Sequence, residues 1–204
     1  NGETRLTDKY CFMALSPRDS SDIVLLASDD GLTVIRLDES GSNVVQSIQV
    51  EGISGEVRNI TELAKGDFWI EISPHTLLRV KFNNGYFNKP EVTKSKYESA
   101  GPGNAIATLN HQGVPLIVTT SGLLKFNPEN NIFTPLNSNL KIRAREPFSS
   151  PLLCNTSSDN IILFLDGGLF SIKIFPDNDS CHVSRIGRIM SYNVYKIYAD
   201  KSID

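Results

Sequence analysis

A hairpin-like phrase recurs four times in this chain at an almost constant interval. The segments 25–32, 70–77, 116–123 and 162–169 each read as an apolar run, a tight polar turn and the start of a second apolar run. Their closing leucines, Leu32, Leu77, Leu123 and Leu169, follow one another at spacings of 45, 46 and 46 residues. Self-similarity at a fixed period means one supersecondary unit copied along the chain, and it constrains the fold more tightly than any single motif. Gly31, Gly122 and Gly168 share one turn column, where a positive φ is expected. Thr76 interrupts the column, and Pro74 two residues earlier predicts a different turn there.

After each turn the sequence alternates with period two. Ile35, Val80, Phe126 and Ile172 share an inward column, and Arg36, Lys81, Asn127 and Lys173 share a polar one. Such alternation marks half-buried strands, and no long stretch carries a helical period. A short apolar element precedes each hairpin, at 11–15, 57–60, 105–107 and 151–154. A more polar one follows, at 43–50, 86–93, 131–136 and 181–186. The expectation is an all-β chain of four four-stranded antiparallel units of about 46 residues, the size of a β-propeller blade. The blades are placed at about 10–50, 56–94, 103–137 and 149–187. Val194-Tyr195-Lys196-Ile197 repeats the 57–60 pattern, so 192–204 is expected to start a further blade of a larger propeller, against the alternative of a closed four-bladed disc. Blade faces left open in such a piece predict self-association of the isolated chain.

The repeat resembles the two-component regulator propeller repeats of bacterial hybrid histidine kinases. The likeness rests on Gly66-Asp67-Phe68-Trp69-Ile70 followed by Leu77-Leu78-Arg79-Val80, and on Ser121-Gly122-Leu123-Leu124-Lys125-Phe126-Asn127-Pro128 followed by Phe133. Glu71-Ile72 stands where that repeat has Gly-Thr, and one unit alone keeps the tryptophan. The resemblance implies the periplasmic or extracellular sensing part of a membrane protein, tied to the membrane through segments outside this chain. It further implies an extracellular ligand, with carbohydrate the first candidate.

The residues themselves narrow the function by exclusion. Twenty basic against 23 acidic side chains leave a formal charge of −3, without the basic excess of a nucleic-acid binder. The three histidines, His75, His111 and His182, lack metal-ligand spacing, so neither a metal site nor a cofactor is expected. Cys11, Cys154 and Cys181 are too far apart for a metal motif and read as small buried residues. Glu62, Thr108, Asn155 and Asp200 are a thin set of polar groups near inner-strand ends for a propeller lyase or glycosidase. A non-catalytic sensory or ligand-binding segment is therefore expected, with a protein-interaction scaffold as the alternative. A ligand should meet the loops joining the first and second strands of each blade, which single out Arg18, Asp19, Lys65, Asp67, His111, Gln112 and Asp159. Trp69 has two readings: core between blades, or an aromatic flanking the ligand.

Overall fold

The computed structural model describes residues 10–72, 76–95, 106–119, 122–127, 129–130, 132–138, 152–156, 160–165, 167–175 and 180–188. The chain divides into two compact units, 1–96 and 97–204.

In the first unit, β1 (Cys11–Leu15), β2 (Ile23–Ser28), β3 (Gly31–Leu37) and β4 (Val44–Gln49) form one antiparallel meander in sequence order. A second follows: β5 (Val57–Ala64), β6 (Asp67–Ile72), β7 (Thr76–Lys81) and β8 (Glu91–Lys94). Leu25 pairs with Val34 and Ala27 with Leu32, which sets all four on one face of the first sheet. Phe68 with Val80, and Ile70 with Leu78, do the same in the second. These faces supply a single apolar core in which Leu25, Ala27, Leu32, Val34, Phe68, Ile70 and Val80 are fully buried. Removing each large side chain from water contributes about 1.5–3 kcal/mol before the entropy of ordering is counted.

In the second unit, β9 (Ile106–His111), β10 (Val114–Thr119), β11 (Gly122–Asn127) and β12 (Ile132–Pro135) form the third meander. The fourth sheet contains β14 (Leu152–Asn155), β15 (Asn160–Leu165), β16 (Gly168–Phe175) and β17 (Ser180–Arg188). It carries a fifth strand that the repeat did not announce: the two-residue β13 (Asn137–Ser138) pairs in parallel with β17. Leu116, Val118, Leu123, Ile161, Leu163 and Ile172 form the core of this unit.

The hairpin columns align as the repeat required. Ser28 pairs with Gly31, Thr119 with Gly122 and Leu165 with Gly168, each pair with two residues between its members in sequence. In the second blade Ile72 pairs with Thr76, with three residues between them in sequence; the different turn expected at Pro74 lies outside the described residues. The glycine reading holds at Gly31 and Gly122, with φ of +128° and +140°. It fails at Gly168, because in that hairpin the positive φ belongs to Gly167. A side chain at Gly168 would instead strike the Phe170 ring, its Cβ 2.6 Å from a ring carbon. Close packing, not backbone freedom, calls for glycine there.

Two more expectations change. The fourth element of the second blade begins at Glu91 and not at 86, because residues 82–90 form a loop built around Asn83-Asn84-Gly85. The cysteines are not uniformly buried: Cys11 is exposed, Cys154 is half-buried and Cys181 is buried. Residues 192–204 lie outside the described residues.

Candidate functional site

In each of the first two blades, the loop after the first strand and the loop after the third strand emerge at the same end, as an antiparallel meander dictates. At that end of the first unit, four of the singled-out residues come together. The β1–β2 loop carries Arg18 and Asp19, the β5–β6 turn carries Lys65, and Asp67 opens β6.

Arg18 and Asp19 tie their loop to the second blade. The Arg18 backbone N–H donates to both carboxylate oxygens of Glu62, at 3.3 Å each, and its guanidinium lies 3.4 Å from the same carboxylate. Glu62 is 7 % exposed, so these charge-assisted bonds satisfy a carboxylate largely withdrawn from water. Asp19 accepts a 2.7 Å hydrogen bond from the Tyr86 hydroxyl and lies 3.4 Å from the Lys65 ammonium. The Tyr86 hydroxyl, with help from Lys65, holds the Asp19 carboxyl below the usual carboxylate range. Burial, followed by the Asp19 carboxylate, pushes the Tyr86 hydroxyl above the ordinary phenol range. Asp67 is held by Arg79 through Nε contacts of 3.0 and 3.2 Å and an Nη2 contact of 2.7 Å, in a largely buried forked pair.

These groups border an open depression of about 510 Å³, lined by Asp19, Lys65, Asp67, Lys81, Asn83 and Tyr86 over the backbone of Gly66. Two aromatic residues, Phe82 and Tyr86, are part of its lining. Phe82 packs on Tyr86 at 5.2 Å between ring centroids and on Phe68 at 6.0 Å, with Phe68 anchored in the core. The Asp19 contacts have a defined pH response. A carboxyl whose folded-state pKa is depressed stabilises the fold fully above its unfolded value, near pH 4, and loses that contribution as pH falls through the folded value. Asp19→Asn is therefore expected to destabilise the protein at pH 7, with the gap to wild type closing toward pH 2. Urea denaturation at both pH values would measure it, and a gap independent of pH would refute the charge-based account.

The remaining singled-out residues are distributed differently. His111 was expected in a loop but ends β9 and is buried. Gln112 is exposed in the two-residue turn that follows, where its φ of +50° and the +83° of Gly113 suit a hairpin turn of the primed kind. Both belong to the second unit, where a smaller depression of about 360 Å³ is lined by Gly113, Val114, Lys125 and Asn127. Asp159 lies outside the described residues. Trp69 is fully buried, which removes it as an aromatic flanking a ligand and leaves it as core. The sequence reading missed Tyr86, Lys81 and Asn83. The signal that could have found Tyr86 is the Asn83-Asn84-Gly85 turn, which ends β7 and starts the loop that holds it.

Four-stranded meanders repeating about every 46 residues, with alternate loops gathered at one end, are propeller blades; the chain is an all-β protein built from them. Among solved structures it resembles the extracellular domain of BT4673, a candidate one-component system of B. thetaiotaomicron, at a TM-score of 0.64 and 14 % identity over 88 % of this chain. It also resembles the extracellular domain of BT3049, a candidate hybrid two-component system of the same organism, at 0.58 and 15 % identity over 92 %. The chain spans only 22 % and 23 % of those two structures. The WD40 repeats of RRP9 are similar at 0.55 and 13 % identity, over 88 % of this chain and 52 % of theirs. No protein-family model matches the chain, and no curated protein matches it significantly.

Proposed function

We propose that this chain is a non-catalytic, ligand-binding segment of the sensing region of a bacterial two-component sensor, placed outside the cytoplasm and reading a carbohydrate. One observation carries the reading: loops of two successive blades are bonded together around a depression whose lining combines two aromatic residues with amide, ammonium and carboxylate groups. A concave surface of that composition suits a polar ring-shaped ligand, with apolar contact beneath and hydrogen bonds at the edge. The likeness of the repeat to regulator propellers supports the sensory role, as do the extracellular signalling domains that share its fold.

The test is a titration of the chain with a panel of mono- and oligosaccharides, followed residue by residue through amide chemical shifts. Shifts at Lys65, Gly66, Asn83 and Tyr86 are expected for at least one sugar, with affinity falling about tenfold, or about 1.4 kcal/mol, in a Lys65→Ala, Asn83→Ala double variant. Sugar-dependent shifts confined to other parts of the chain would move the site elsewhere.

A further inference from the structure

The charges around the first unit's depression are unequally satisfied, and that inequality indicates what the depression accepts. Both carboxylates at the rim are already engaged: Asp67 by the forked Arg79 guanidinium, and Asp19 by the Tyr86 hydroxyl and the Lys65 ammonium. One cation is not matched in return. Lys81 lines the depression from β7, directly across from Asp67. It enters no ion pair among the described residues, since the Asp67 oxygens are turned to Arg79. Glu91, opposite Lys81 on β8, lies outside the lining and makes no ion pair with it among the described residues. Lys65 is 80 % exposed and touches Asp19 only at 3.4 Å, a contact weak enough to be exchanged. Counting Arg79 behind Asp67 and the Arg18–Glu62 pair on the neighbouring loop, four cations meet three carboxylates.

Resting on the reading of this depression as the ligand site, we propose that it is an anion-selective site, whose ligand carries an acidic group placed between the Lys65 and Lys81 ammonium groups. The acidic group makes charge-assisted bonds to the two lysines, and the Asn83 amide donates beside them. The rest of the ligand lies against Tyr86. Carboxylate and phosphate share this chemistry, because both present several acceptor oxygens and a full negative charge to two ammonium groups. Asp19 keeps its bond to Tyr86 when Lys65 turns to the ligand, so the strap between the blades survives binding.

Three probes of one scaffold test it: glucose, glucuronate and glucose 6-phosphate, titrated into the chain and followed by amide chemical shifts. Expected are shifts at Lys65, Gly66, Lys81 and Tyr86 with one or both anionic probes, and the two anionic arms decide between carboxylate and phosphate. Affinity should fall about fivefold or more in Lys81→Met, which keeps the apolar stem, and should weaken as salt rises from about 0.05 M to about 0.3 M. Glucose shifting the same amides as strongly as the anions would overturn anion selectivity and leave the depression as the ligand site. Anion-dependent shifts elsewhere, or none with any probe, would overturn the site and the selectivity together. Unchanged glucuronate and glucose 6-phosphate affinities in Lys81→Met would overturn the role given to that lysine and the proposal with it.

Discussion

Trp69→Ala is expected to cost about 3–5 kcal/mol, the range for removing a fully buried large aromatic side chain. Trp69 is the largest side chain in the protein with no exposed surface. It sits on β6, where Phe68, Trp69, Ile70 and Glu71 are all buried in succession, so both faces of that strand are withdrawn from water. Phe68 and Ile70 belong to the core of the first unit, and the pleat turns Trp69 and Glu71 to the opposite face. On that face the Asn59 amide donates to the carboxylate of Glu71, two residues along the strand from Trp69, at 2.8 Å. A cavity in such a place is not relieved by moving one apolar neighbour. Trp69→Phe, which keeps a ring in the site, should cost markedly less. Equilibrium urea denaturation of both variants would measure this. A near-neutral result for Trp69→Ala would contradict the burial and return the ring to the candidate ligand-binding residues.

The hairpins were legible because their signal is local and repeated. Leu32, Leu77, Leu123 and Leu169 mark the same register four times, and the pairing of Ser28 with Gly31 and of Leu165 with Gly168 follows from that column. Spacing could not disclose a partner supplied from a connection, and β13 joins β17 in that way over only two residues. The site was half legible. Meander topology sends the first-to-second-strand loops to one end, which brought Arg18, Asp19, Lys65 and Asp67 to the same place. It does not say which carboxylate meets which partner: Asp19 is joined to Tyr86, 67 positions along the chain, by tertiary packing alone. Gly168 shows the same limit. A column of glycines looks uniform in sequence, yet one position serves close packing and two serve backbone conformation.

Gly31→Ala should be the most damaging conservative change at any of these turns. Two separate costs fall on it. Its φ of +128° lies where L-residues are strained, at about 1–3 kcal/mol. A Cβ there would also stand 2.6 Å from the Ile53 carbonyl oxygen, a backbone atom that cannot rotate away. Ile53 is itself buried in the core of the first unit, so relieving the clash means shifting packed structure, at about a further 1–3 kcal/mol. Gly122 separates the two costs. It occupies the same column with φ of +140°, but a Cβ there meets no atom of the described residues within 4 Å. Gly122→Ala is therefore expected to carry the conformational cost alone, and Gly31→Ala to exceed it by the cost of the clash. Urea denaturation of the two single variants would measure the difference. Equal losses would show that the Ile53 segment yields freely and that backbone conformation alone makes glycine necessary at the first hairpin.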